Sequence, residues 1–193
     1  LREDGLRAAG RIAAATGVRL LCETFPARLQ RGAGRVAVER LPYFAESAMA
    51  ALENVERLIL VGAPAPVAFF AYPGNPGWLA PAGCEILTLA TPDQDAAGAL
   101  AAVADRLGAA AEAPVVPPSP QLPPPAGPLS PAAIGQSLLR ALPDDAIVVD
   151  EANTCGLGIF PATAQARRHD WLTLTGGAIG DGLPLALGAA IAC

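Results

Sequence analysis

Between Pro114 and Pro128 proline recurs at intervals of no more than three residues (Pro-Val-Val-Pro-Pro-Ser-Pro-Gln-Leu-Pro-Pro-Pro-Ala-Gly-Pro), and no other feature restricts this chain's possible folds so strongly. Each proline fixes φ and removes a backbone donor, so the run suits neither a helix interior nor a central strand, and it holds no apolar periodicity to bury. It reads as an extended linker over residues 114–128, dividing the chain into residues 1–113 and 129–193. With 193 residues and 52% hydrophobic content there is enough apolar material for one large domain or for one domain and part of another.

Both sides of the run alternate helix and strand signals. Leu6 to Ala15 is an Ala-rich helix stopped by Gly17, and Val18 to Cys22 is a strand. A polar turn around Arg31-Gly-Ala-Gly34 precedes a helix near Tyr43 to Leu52, a buried strand Arg57 to Val61, a strand Cys84 to Leu89 and a helix Asp93 to Ala111. After the run, Leu129 to Leu142 is a helix with Ser130 as N-cap and Pro131 at its first position. Ala146 to Asp150 is a buried strand, Trp171 to Leu174 another, and Leu183 to Cys193 a helix with Leu183, Leu187 and Ala190 on one face. The order predicts an α/β fold: a doubly wound, mostly parallel, Rossmann-like domain, then the truncated start of a second α/β domain. Helices should cover both faces of the first sheet.

Composition removes several functions. All thirteen basic residues are arginine, which excludes Schiff-base chemistry and a phosphate-loop lysine. A net charge of −5 without a basic stripe argues against nucleic acid as a partner. Cys22, Cys84, Cys155 and Cys193 are far apart and His169 is the sole histidine, so reduced thiols in a cytoplasmic protein are expected rather than a metal site. The uncharged stretch from Leu58 to Cys84 carries five prolines, which would break a spanning helix, so no membrane segment is expected. Neither an initiator Met nor a signal peptide opens the chain, and it stops within an apolar helical pattern, as a fragment would.

Two segments are placed for chemistry, because ligands of open α/β sheets bind at the carboxyl ends of strands. Asp150-Glu-Ala-Asn-Thr154 follows one strand, and Thr175-Gly-Gly-Ala-Ile-Gly-Asp-Gly-Leu-Pro184 follows another. Asn153 and Thr154 offer donors to an anion, and backbone N–H groups at helix starts would add partial positive charge. The glycine-rich segment offers bare backbone beside one bulky residue, Ile179, which suits a flat ring. Each segment alone is equally well read as an ordinary strand-to-helix turn, and Ile179 as a core residue.

Taken in order, the linker, helix, Asp-Glu strand end and Gly-Gly-Ala-Ile-Gly-x-Gly-Leu-Pro element resemble the thiamine diphosphate enzymes of the acetolactate synthase and benzoylformate decarboxylase superfamily. The resemblance implies a central domain in residues 1–113 and the start of a diphosphate-binding domain in 129–193. It implies that Ile179 lies beneath the cofactor and folds its two rings into a V. The carbonyl of Gly177, next to Ala178 in the same turn, would accept a hydrogen bond from the 4′-amino group. Ala152, Asn153 and Thr154 would lie beside the diphosphate, although Asn-Thr departs from the Gln-His or Thr-Ser pairs of relatives. The family's catalytic glutamate is expected before Leu1, and its Mg²⁺ motif, whose Asp and Asn hold the metal against the diphosphate, after Cys193. No catalytic residue is therefore assigned within the chain, and alone it should be inactive.

Glu23, Glu39 and Glu151 read as solvated or structural carboxylates, Asp181 as N-cap of the last helix, and His169 as a surface turn histidine. Phe69, Phe70 and Tyr72 near Trp78 read as core and loop packing. No G-x-G-x-x-G follows a strand, so FAD is not assigned. The expected activity is on a small 2-oxo acid, by a homo-oligomeric parent. The alternative is a non-catalytic nucleotide-binding or structural α/β domain.

Overall fold

Leu20 and Leu21 send their side chains to opposite cores, and the architecture follows from that alternation. The computed structural model describes residues 2–120 and 123–193; Leu1, and Gln121 and Leu122 of the expected linker, lie outside the described residues. Helix α1 spans Glu3–Thr16 and ends where Gly17 turns left-handed, its N–H capping the carbonyl of Ala13. Strand β1 (Leu21–Cys22) is followed by β2 (Leu29–Arg31) and β3 (Glu39–Arg40), two short strands without a clear sequence signal. Then come α2 (Ala45–Leu52), β4 (Arg57–Val61), β5 (Glu85–Ala90) and α3 (Ala96–Arg106). Asp95 caps α3 by accepting from the N–H of Gly98, so the helix starts later than its apolar pattern suggests. Leu20 joins α1 and α3 through Ala8, Ala9, Ile12 and Leu100, whereas Leu21 packs against α2 through Ala48 and Leu52.

Beyond the proline run, α4 (Pro131–Ala141) starts as its sequence requires: the Ser130 hydroxyl accepts from the N–H of Ala133, and Pro131 stands at the first position. Strand β6 (Ala146–Asp150), a short helix α5 (Ile159–Ala162), β7 (His169–Thr173) and α6 (Gly182–Ala192) complete the chain. Pairings β1–β3, β4–β5 and β6–β7 are parallel, giving the mostly parallel α/β class expected. The exception is β2, which runs antiparallel to β7 with Leu29 opposite Trp171 and Arg31 opposite His169.

That pairing ties residues before the proline run to residues after it. Leu6, Leu29, Val36, Phe160 and Trp171 form one buried cluster drawn from both sides. Burying a large apolar side chain contributes on the order of 2–3 kcal/mol, so these contacts are a main source of cohesion. The run itself is strapped down by N–H groups that its non-proline residues keep. Val116 donates to the carbonyl of Arg35 at 2.8 Å, and Ser119 donates to that of Gln165 at 3.2 Å.

The expectation that β4 and β6 are buried strands is corrected. Both are half-buried, with Ile59 and Leu87 side by side and open on one face of the two-stranded β4–β5 ladder. Helix α6 is also more exposed than a core helix. Gly182, Leu185 and Ala189 are its half-buried positions, while Leu183, Leu187 and Ile191 face outward.

Candidate functional site at the ends of β6 and β7

Strands β6 and β7 run parallel with Asp150 in register with Thr173, so the two chemically interesting segments leave the sheet side by side. Asp150 points into the protein. Its Oδ2 accepts from Nε1 of Trp171 at 3.1 Å and pairs with Nη1 of Arg40 at 3.3 Å, while Oδ1 accepts from the N–H of Ala152 at 3.0 Å. A carboxylate satisfied on both oxygens thus shapes the first residues of the loop. Arg40 is held in turn by the carbonyl of Thr24 and lies over the rings of Phe25 and Phe160.

Glu151, one position on, takes the opposite direction. Its carboxylate accepts from the N–H groups of Gly180 and Gly182, the latter at 2.7 Å, and so fastens the glycine-rich turn to the end of β6. This corrects two expectations. Asp181 occupies the N-cap position of α6 but makes no side-chain cap bond; Glu151 supplies the carboxylate instead. The N–H of Gly182 at the start of α6 is consequently not free to attract an anion.

Ala152, Asn153 and Thr154 are exposed, and Asn153 adopts φ of 38°, a conformation that asparagine tolerates better than most residues. Asn153 also lines a 550 Å³ cavity with Arg40, Tyr43, Phe44, Asp150 and Leu174. The remaining expected residues are not in that cavity. Gly177 closes a 3-10 turn (Thr175–Gly177), and Ala178 and Ile179 follow it on the outer surface. Gly176, Gly177 and Gly180 have positive φ and open space where a side chain would stand. Ile179 is 83% exposed, outside the core that this chain forms. A large apolar side chain presented on bare backbone is an unsatisfied surface.

His169 is not a surface turn residue. It lies fully buried on β7, with Nδ1 on the carbonyl of Arg167 at 2.7 Å, because the antiparallel partner β2 and the side chain of Arg35 cover it. Burial lowers its pKa from the ordinary value. Arg31 of the expected polar turn is likewise buried, its guanidinium bonded to Thr163 and the carbonyl of Phe160. Glu39 is exposed and paired with Arg19, and burial raises the pKa of Glu23.

The aromatic cluster is larger and more exposed than expected. Phe25, Tyr43 and Phe44 join Phe69, Phe70 and Tyr72 at centroid separations of 5.1 to 6.0 Å, while Trp78 bridges to Val67. The four cysteines are free, and burial pushes the Cys22 thiol up to about 11, far from a reactive thiolate at neutral pH. Among the described residues no group of three or more His, Cys, Asp or Glu is placed to hold a metal ion, and no helix is long and apolar enough to cross a membrane.

Sequence reasoning did not find the roles of Asp150, Arg40 and Trp171. The signal was the Asp-Glu pair at a strand end, where alternation sends neighbouring carboxylates to opposite sides.

No family model matches the chain. Over 192 residues, 99% of its length, the chain is 57% identical to the "Putative acetolactate synthase large subunit IlvX" of Mycobacterium tuberculosis, of which it covers 37%. Its fold matches a thiamine diphosphate-dependent 4-hydroxybenzoylformate decarboxylase of Rhodococcus jostii RHA1 at a TM-score of 0.67 and 21% identity, over 96% of this chain and 38% of that one. It also matches a "putative thiamin diphosphate-dependent enzyme" of Mycobacterium smegmatis at 0.58 and 21%, over 95% and 38%. The chain thus spans somewhat over a third of the length of these proteins, and its α/β fold is that of part of the two solved enzymes.

Proposed function

We propose that this chain is the central domain (residues 1–113), the linker (114–128) and the opening of the diphosphate-binding domain (129–193) of a thiamine diphosphate-dependent enzyme acting on 2-oxo acids. The reaction is decarboxylation, with or without transfer of the resulting acyl-anion equivalent to a second carbonyl, as in an acetolactate synthase. One observation carries the reading: Ile179 stands 83% exposed on a turn of bare glycines that Glu151 fastens beside Ala152, Asn153 and Thr154.

The residues present suit such a cofactor. When bound, thiamine diphosphate supplies a thiazolium that accepts the electron pair left as CO₂ departs. The chain contributes position. Ile179 would supply bulk beneath the cofactor's rings, and the Gly177 carbonyl would be the acceptor for the 4′-amino group. The Asn153 and Thr154 side chains would take the diphosphate, on a loop whose first residue, Ala152, spends its own N–H on Asp150 and so is not free to contact the phosphates. The Mg²⁺ ligands and the glutamate acting on the aminopyrimidine belong to residues outside 1–193.

The parent is read as a cytoplasmic homo-oligomer, in keeping with four free cysteines and with the resemblance. Changing Ile179 to Ala in the parent tests the reading. Turnover should fall by about tenfold or more, as for loss of a positioning contact; undiminished turnover contradicts it.

A further inference from the structure

We infer that Glu151 is a positioning residue, which sets the glycine-rich turn against the diphosphate loop and closes the start of α6 to the cofactor's phosphates. The inference rests on the function proposed above and assigns a part to a residue that makes no cofactor contact.

The first support is chemical matching. The two groups that Glu151 meets, the N–H of Gly180 and the N–H of Gly182, are both donors, and an ionised carboxylate is an acceptor on both oxygens. A glutamine has the same shape but must turn an NH₂ group toward one of them. The carboxylate also lies at the positive end of α6, where a negative charge is favoured.

The second support is that one glycine is explained by this contact alone. A Cβ at Gly182 would stand 2.4 Å from Oε2 of Glu151 and 3.1 Å from its Cβ, whereas nothing lies within 4 Å of one at Gly176, Gly177 or Gly180. Gly182 is therefore bare to admit the Glu151 side chain. The other three leave open space on the outer side of the turn.

The third support is electrostatic. With Glu151 in place the start of α6 carries a full negative charge, which repels a second anion. The segment that follows β6 is left as the place for the diphosphate, since the Asn153 and Thr154 side chains are exposed and the Asp150 carboxylate, with both oxygens bonded, is paired with Arg40. Glu151 thus divides the labour between the two segments: ring on the glycine turn, phosphates on the loop.

The test titrates thiamine diphosphate with Mg²⁺ calorimetrically into the parent protein and into its Glu151→Gln, Glu151→Ala, Gly182→Ala and doubly substituted Glu151→Ala/Gly182→Ala forms. Thermal unfolding without cofactor is measured alongside. Wild type should bind, and each Glu151 variant should bind about ten- to a hundredfold more weakly, as when a group that orients ligand-holding residues is removed. Melting temperatures without cofactor should stay near wild type, and saturating cofactor should restore most of the turnover, which separates positioning from mere folding. Gly182→Ala should weaken binding in the wild-type background and add nothing once Glu151 is alanine. Should Glu151→Ala fail to fold, the isosteric Gln variant and Gly182→Ala decide between the outcomes. Wild-type binding with unaltered affinity in the Glu151 variants overturns the positioning role alone, as does an equal cost of Gly182→Ala in both backgrounds. Absence of binding by the wild type overturns the proposed function and this inference with it.

Discussion

The guanidinium carbon of Arg31 lies 3.7 Å from the centroid of the Phe160 ring, joining β2 before the proline run to α5 after it. The same group donates to the Thr163 hydroxyl at 2.9 Å and to the Phe160 carbonyl at 2.7 Å. Burial lowers its pKa to about 10, still far enough above neutrality to keep it charged. Replacing Arg31 by Met preserves apolar bulk and removes both hydrogen bonds and the ring contact. We expect a loss of about 2–3 kcal/mol in denaturant unfolding of the parent protein. Lysine, lacking the planar fork, should not recover it.

Asp150 carries a comparable load at the site itself. Alanine at that position leaves Arg40, whose side chain is 21% exposed, without its carboxylate and frees the N–H of Ala152. The expected cost is about 2–3 kcal/mol, below the value for a fully buried pair because Arg40 retains some solvent. Hydrogen exchange should show faster exchange at Ala152, while α1 and α3, which Asp150 does not touch, keep their protection.

Two glycines of one turn should respond differently to alanine. At Gly32 φ is 107° and a Cβ would stand 2.6 Å from the Arg167 carbonyl oxygen, which is backbone and cannot step aside. At Gly34 φ is 79° and nothing lies within 4 Å. Gly34→Ala should therefore cost only about 1 kcal/mol of conformational strain, and Gly32→Ala about 3 kcal/mol or more because a clash is added. Equal costs would show that the turn does not sit against the backbone of Ala166 and Arg167.

Much of the fold was legible because local chemistry marked it. Gly17, Ser130 with Pro131, and the apolar runs Arg57 to Val61 and Ala146 to Asp150 signalled their helix end, helix start and strands. Strands β2 and β3 were not legible, since three-residue and two-residue ladders have no periodicity and are created by their partners. The same cause hid His169, among charged residues, and Arg31, beside Gly32, whose burial arises from the pairing of β2 with β7. At the candidate site the segments and their adjacency were readable from their positions after strands. The Glu151 contact was not, because Asp181 stands at the N-cap position and its sequence signal is the stronger one.

The buried histidine gives the stability a defined pH dependence. His169 has a lowered pKa in the folded chain, chiefly because burial disfavours its charged form, with Arg31 and Arg35 opposing the proton as well. The unfolded imidazole titrates near 6.5, so below that pH the unfolded state binds more protons than the folded one. This contribution is fully present above pH 6.5 and is lost as the pH falls, by at most about 1.4 kcal/mol per pH unit until the folded-state pKa is reached. Urea midpoints of a His169→Phe variant should vary less than wild type between pH 7.5 and 5, by roughly that slope. Parallel profiles would place His169 in solvent.

The most direct test of the account is calorimetric titration of thiamine diphosphate and Mg²⁺ into the parent protein and, separately, into residues 1–193. Saturable binding to the parent and little to the isolated chain are expected if residues 152–154 and 177–179 are, as proposed, part of a site whose metal ligands and glutamate lie elsewhere. A parent that binds no thiamine diphosphate, or an isolated chain that binds it as tightly as the parent, would contradict it.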